Sequence, residues 1–186
     1  MLSFVEVSKL KVVYPNQVEE ELHLLFDEVQ KIKPKVILEI GVENGGTAFF
    51  WLSILKETNG IYIGIDVDPT VVKRTSYLLD RFGSSFNLII GNSAAEETKE
   101  RVNKILDKKS VDFLFIDGDH SFSAVKFDYE TYKPLVRSGG IIAFHDILPR
   151  EGGVGRFWLT ELKEKNKIEI IKSSTNKYGI GVIYKP

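Results

Sequence analysis

Lys35-Val36-Ile37-Leu38-Glu39-Ile40-Gly41-Val42-Glu43-Asn44-Gly45-Gly46-Thr47 opens as a short apolar run and closes in glycines. The run is too short for a helix and apolar enough for a buried parallel strand. Glycines directly after a strand let backbone N–H groups and the start of the next helix approach a polar ligand where a Cβ would clash. Gly41, Gly45 and Gly46 suit that purpose. A tight strand-to-helix turn uses glycine for its own geometry as well, so this stretch alone leaves a purely structural turn equally open.

Outward from the turn, the hydrophobic period keeps switching between two and about 3.6 residues. Upstream, Val18, Leu22, Leu25, Phe26, Val29 and Ile32 recur at helical spacing between Pro15 and Pro34. Downstream, Ala48–Glu57 reads as a helix, Ile61–Ile65 as a strand, Pro69–Arg81 as a helix and Phe86–Ile90 as a strand. The pattern continues with a helix at Ala94–Leu106, a strand at Val111–Ile116, a helix at Ser123–Val136 and a strand at Gly140–Phe144. Right-handed crossovers turn such a β-then-α chain into an open parallel sheet with ligand sites at the carboxyl ends of its strands. A last helix is expected near Val154–Lys165. Two strand-like runs follow, Lys167–Lys172 and Gly179–Tyr184, joined by the turn-forming segment Ser173–Tyr178, which favours an antiparallel hairpin. Residues 1–186 read as one domain, with an N-terminal helical segment over 1–34 and an α/β core over 35–186.

The bulk properties agree with one core: 186 residues, 43% of them hydrophobic, are too few for two ordinary domains. Lys and Arg number 25 against 26 Asp and Glu, and the net charge of −1 gives no reason to expect nucleic acid or an anionic membrane as partner. The absence of cysteine excludes disulfides, thiolate metal sites and a cysteine nucleophile. The first residues lack a signal-peptide layout and no apolar run approaches a membrane span, so a cytoplasmic protein acting on a small molecule is expected. Assembly into a homo-oligomer is left open.

The next strand gives the glycine turn a function. Ile61–Ile65 ends at Asp66, 25 residues after Gly41, the place of the acid that accepts hydrogen bonds from a ribose diol. Asp68 reads mainly as a cap for the helix beginning near Pro69. At the third strand's end, Asn92 and Ser93 offer small polar groups to an adenine ring; Ser93 as N-cap, with Glu96 completing a capping box, is an equal alternative.

With these residues in place, the chain resembles the class I S-adenosylmethionine-dependent methyltransferases, of the branch carrying an Ile-Asp-Gly-Asp-His motif, from about Val36 to Ile147. The resemblance implies a Rossmann-like three-layer α/β sandwich, mostly parallel with a C-terminal antiparallel hairpin. It also implies S-adenosylmethionine as cofactor, with Glu39, Gly41, Gly45, Gly46 and Thr47 around its methionine part, Asp66 on the ribose, Asn92 and Ser93 beside the adenine, and Asp117 nearby. One departure stands out: Glu43 occupies a position where many members have glycine.

Ile116-Asp117-Gly118-Asp119-His120 follows the fourth strand and Phe144-His145-Asp146 the fifth, so adjacent parallel strands bring Asp117 and Asp146 to one sheet edge. Methyl transfer to oxygen requires a hydroxyl to lose its proton, which a base or a divalent metal favours. His120 and His145 are the candidate bases. The metal-dependent O-methyltransferases that the chain resembles carry an acid at the position of Asp117 and a ligand pair where His145-Asp146 lies. Mg²⁺ suits the carboxylates, while His145 is a softer ligand that leaves Mn²⁺, Fe²⁺ or no metal open.

Each of these residues also has a plainer role: Asp119 bonding its own turn, or a histidine satisfying a buried hydrogen bond. Trp51, Phe122, Phe127, Tyr129, Tyr132 and Phe157-Trp158 suit a core better than an aromatic substrate pocket. Arg150 and Arg156 either hold an acidic group or are solvated. The expected activity is O-methylation of a small hydroxylated compound. The alternatives are an NAD-dependent oxidoreductase, which shares the glycine turn and Asp66, and a non-catalytic nucleoside-binding protein of the same fold.

Overall fold

The computed structural model describes residues 3–10, 13–163, 165–172 and 177–186. A seven-stranded sheet runs through it in the order β3-β2-β1-β4-β5-β7-β6. The strands are β1 (Val36–Ile40), β2 (Ile61–Asp66), β3 (Phe86–Ile90), β4 (Val111–Ile116), β5 (Val136–Phe144), β6 (Lys167–Ile170) and β7 (Ile180–Tyr184). The first five are parallel, while β7 pairs antiparallel with both β5 and β6. The expected parallel sheet and reversed terminal hairpin are both present. The hairpin turn over 173–176 lies outside the described residues.

Around the sheet lie α1 (Phe4–Ser8), α2 (Glu19–Lys31), α3 (Gly46–Leu55), α4 (Val71–Arg74), α5 (Ser76–Phe82), α6 (Glu96–Leu106), α7 (Phe122–Tyr132) and α8 (Gly153–Thr160). None is long and apolar enough to cross a membrane. Alternation along β4 sends Phe113 and Phe115 into one apolar cluster, with Phe26, Phe50 and Trp51, and Leu114 and Ile116 into the other, with Phe144 and Trp158. Trp51 meets Phe113 and Phe115 with ring centroids 5.0 and 5.8 Å apart. α3 is apolar nearly all round and buried accordingly.

Several boundaries depart from the periodicity. The helix expected over Pro69–Arg81 is two, α4 and α5, parted at buried Thr75, whose hydroxyl bonds the Val71 carbonyl at 2.8 Å. α8 stops at Thr160 rather than Lys165, and Lys167 Nζ donates to the carbonyls of Trp158 and Leu162 at 3.1 and 3.2 Å. α1 falls inside the segment read as helical over 1–34 but upstream of the periodic stretch that begins at Val18. A capping box between Ser3 and Glu6 starts it, and Phe4 stacks on Phe50 at 4.8 Å and His23 at 4.5 Å.

The strand order sets the site. β1 leads outward to β2 and β3, and the chain then crosses back to lay β4 on the other side of β1, leaving a crevice beyond the carboxyl ends of β1 and β4. Register puts Ile40 beside Ile65 and Ile116, and Ile116 beside Phe144. The residues just past those pairs, Gly41, Asp66, Asp117 and His145, therefore share one sheet edge. Three bonds tie the edge together: Gly41 N–H to Ile65 O at 2.9 Å, Asp117 N–H to Ile40 O at 2.8 Å and His145 N–H to Ile116 O at 3.1 Å.

Candidate active site

A cavity of about 1040 Å³ opens at that edge, reaching from Asn92 and Ser93 past Asp66 and Gly41 to His145 and Asp146. Its floor depends on glycine. Gly41 has φ +89°, and a Cβ there would stand 2.0 Å from the Asp117 carbonyl oxygen. Gly45 also has positive φ, at +75°, and a Cβ on Gly46 would stand 2.6 Å from Pro15 Cα.

Asp66 ends β2 with its carboxylate drawn onto the glycine turn: Oδ2 accepts from the N–H groups of Val42 and Glu43 at 3.0 and 2.9 Å, and Oδ1 from Asp68 N–H at 2.9 Å. It both lines the cavity and shapes the turn. Asp68 takes Thr70 N–H at 2.9 Å and Arg74 Nη2 at 2.9 Å, a local role at the entry to α4. Glu43 sits at φ +51°, a left-handed conformation that favours glycine. Its side chain accepts a bond from Asn16 Nδ2, on the segment that crosses the turn.

Glu39 is fully buried and is not among the residues lining the cavity. Its Oε1 accepts from Thr47 Oγ1 at 2.6 Å and its Oε2 from Tyr62 Oη, so it braces the start of α3 beneath the site, while Thr47 lines the cavity. Burial pushes its pKa from the ordinary 4.5 up to about 8 against the opposing bonds from Thr47 and Tyr62. The unfolded chain then binds fewer protons than the fold between those values, so Glu39 makes stability fall as pH rises through that window. In Glu39→Gln this contribution to the slope should vanish. Between pH 5 and pH 8 the variant should gain roughly 2–4 kcal/mol on the parent in urea unfolding; equal changes in both proteins would reject the assignment.

Asn92 and Ser93 line the cavity, but the capping box considered for Ser93 does not form: the N-cap of α6 is Ala95, without a side-chain cap bond, and Asn92 Oδ1 holds Ala94 N–H at 2.8 Å. Asp128, which sequence reasoning missed, lies beside them, 2% exposed, and burial pushes its pKa up to about 6. An acid at an inward position of α7 was the signal available.

The chemistry end is a carboxylate–imidazole cluster. His145 is 4% exposed, with Nδ1 3.2 Å from Asp117 Oδ1 and 3.3 Å from Asp146 Oδ2. Burial depresses its pKa, and the two carboxylates overcome that and push it up to about 10. His120 is more open, with Nδ1 3.3 Å from Asp146 Oδ2 and Nε2 3.7 Å from Asp117 Oδ1. The neighbouring Asp117 carboxylate, with Asp146, holds its pKa above the usual histidine range against partial burial. Asp117 is nearly buried, which raises its pKa, yet His120 and His145 bring it below the ordinary value. The ligand atoms that lie within 4.8 Å of one another belong to Asp117, His120 and Asp146. His120 thus joins the two acids from the open side, while His145, the ligand the sequence reading named, faces the same two carboxylates from the buried side.

Neighbouring candidates are engaged elsewhere. Asp119 Oδ1 accepts Ser121 N–H at 2.8 Å, a turn bond. Arg150 forms a fork with Glu169 at 2.7 and 3.0 Å, and Arg156 stacks 5.1 Å over Phe122. Trp51, Tyr132, Phe157 and Trp158 belong to the core, whereas Phe127 lines the cavity. Tyr178, with φ +68°, closes the far wall and stacks 6.0 Å from His145. Its place on the hairpin gave no sequence signal.

A glycine turn after β1, an acid ending β2, a cavity at the β1/β4 crossover and a reversed last strand define the class I methyltransferase fold. A family model for the methyltransferase domain matches residues 38–147, and the chain belongs to that family. The chain is 29% identical over 155 residues to the uncharacterized protein R132 of Acanthamoeba polyphaga mimivirus, covering 76% of this chain and 67% of that one. It is 30% identical over 84 residues to the uncharacterized protein y4gI of Sinorhizobium fredii, spanning only 8% of that protein's length. Similar solved structures include the O-methyltransferase of Bacillus cereus in complex with SAH, at TM-score 0.68 and 19% identity, covering 98% of this chain and 90% of that one. The O-methyltransferase TomG of Streptomyces achromogenes, solved with SAM, gives 0.67 at 14% identity, covering 100% and 91%.

Proposed function

We propose that this methyltransferase moves the methyl group of S-adenosylmethionine to a hydroxyl oxygen of a small molecule, in the cytoplasm and without nucleic acid as partner. The observation that carries the reading is the meeting, in one cavity, of the glycine turn and Asp66 with the cluster of Asp117, His120, His145 and Asp146. The neutral and small groups at Asn92 and Ser93 suit a nucleobase, and the acids at the other end suit the cationic end of the donor. Bound there, the cofactor supplies an electrophilic methyl group, and a divalent cation supplies positive charge against an oxyanion.

The residues divide the remaining work. Asp66 and the N–H groups of the turn orient a ribose. His145, locked between two carboxylates, keeps its proton near neutrality and acts as a fixed charge. His120, the more exposed imidazole, takes the acceptor's proton, and Asp146 stabilises the imidazolium that forms. Asp117 and Asp146 with His120 would hold Mg²⁺ or a softer divalent ion such as Mn²⁺, as an alternative to proton transfer through His120.

Calorimetry with S-adenosylmethionine, S-adenosylhomocysteine and NAD tests the donor. The parent should bind the first two and not NAD. Asp66→Ala should bind them about 10- to 100-fold more weakly, since the change frees two turn N–H groups and removes a ribose acceptor. Preference for NAD, or unchanged affinity in the variant, would overturn the reading. Elemental analysis, and turnover in chelator against a panel of hydroxylated acceptors, tests the cation: full activity with no bound metal removes it from the reaction.

A further inference from the structure

The segment before α2 lies across the open end of the sheet and touches the site at three successive residues. Pro15 covers Gly46, Asn16 bonds Glu43, and Gln17 Nε2 donates to Asp117 Oδ2 at 2.5 Å. The last bond fixes the orientation of the amide, because a carboxylate oxygen only accepts and so must face the nitrogen. The carbonyl oxygen is left pointing elsewhere. That atom, Gln17 Oε1, is buried with no hydrogen-bond partner among the described residues, although Gln17 lines the cavity. A buried acceptor left unpaired costs free energy comparable to a lost hydrogen bond, and a donor arriving with the ligand removes that cost.

The chemistry of the surroundings selects the donor. Gln17 Oε1 is carried next to the Asp117 carboxylate, and Asp146 lies on the same side of the cavity. A cation with several N–H groups satisfies an amide oxygen and a carboxylate together, which a neutral amide or hydroxyl does less well. In a sulfonium nucleoside with an amino-acid tail, the sulfonium has no N–H and the adenine amino group is neutral. The α-ammonium alone combines positive charge with three donors.

We propose that Gln17 is a cofactor-selecting residue whose Oε1 accepts a hydrogen bond from the α-ammonium of S-adenosylmethionine, alongside Asp117. This rests on the methyl-donor reading above. It assigns to the crossing segment a ligand contact as well as a covering role.

The test compares S-adenosylhomocysteine with its deamino analogue, in which hydrogen replaces the α-amino group, by calorimetry on the parent and on Gln17→Met, which keeps the length and removes the acceptor. The parent should prefer S-adenosylhomocysteine about tenfold or more. Gln17→Met should lose most of that preference by weakening S-adenosylhomocysteine while leaving the deamino analogue unchanged, which also shows that the cavity is intact. An equal loss for both ligands, or an undiminished preference in the variant, overturns the assignment. Failure of the parent to bind either ligand overturns the methyl-donor reading and the assignment with it, and that outcome is visible before any variant is made.

Discussion

Replacing Asp117 with alanine is expected to lower kcat/KM for methyl transfer by about 10²- to 10⁴-fold, the range over which a positioned proton-handling group contributes. The carboxylate is the hub of the site. Oδ2 takes the Gln17 amide, and Oδ1 faces His145 at 3.2 Å and His120 at 3.7 Å. Without it His145 keeps one carboxylate partner, Asp146, and its proton is held less firmly; His120 loses a nearby carboxylate that raises its affinity for a proton. Formation of S-adenosylhomocysteine from the methyl donor, with the best acceptor from a screen, measures the loss. A rate within threefold of the parent, in a variant whose near-ultraviolet circular dichroism is unchanged, would place the chemistry elsewhere.

The second large effect is conformational. Gly41→Ala puts a methyl group 2.0 Å from the Asp117 carbonyl oxygen at a φ of +89°. Backbone is the obstacle, so no side chain can swing aside. Overpacking of this kind costs about 1–3 kcal/mol and a left-handed residue about 1–2 more. Together they should lower the thermal midpoint by roughly 10 °C in a chain of this size. Gly83→Ala is the control: φ is +55° there, but nothing lies within 4 Å of the added Cβ. Its loss should be confined to the backbone contribution, a little under half of the other. Equal losses would show that the close approach of β1 to the Asp117 loop is unimportant.

The alternating elements and the reversed hairpin were legible because both depend on periodicity and punctuation, which are local. What escaped depends on contacts between distant residues. The capping box that starts α1 is readable at Ser3 and Glu6, but only the Phe4–Phe50 stack makes so short a helix worthwhile. Thr75 divides a continuous-looking helix by turning its hydroxyl onto a carbonyl, a choice its identity permits without requiring. Asp66, Asp117, His145 and Asp146 could be placed from strand ends alone, since register dictates that neighbouring parallel strands finish together. The partition between His120 and His145 could not, because it turns on burial and on which ring nitrogen faces which acid. Gln17 lies 100 residues from Asp117, beyond the reach of any local pattern.

Glu43 illustrates the same limit from the other side. Its identity was conspicuous in a glycine-rich turn, but its meaning comes from the Asn16 bond and the left-handed backbone.

The crossover between β1 and β4 has an evolutionary corollary. The glycine turn after β1, Asp66 after β2 and Asn92 after β3 line one stretch of the cavity, and His120, His145 and Asp146, after β4 and β5, line another, with the Asp117–Ile40 backbone bond at the seam. Substitutions at Tyr178, on the wall beside His145, should therefore leave the glycine turn and Asp66 in place. A scaffold divided in this way diversifies its substrates without relearning how to hold its reagent.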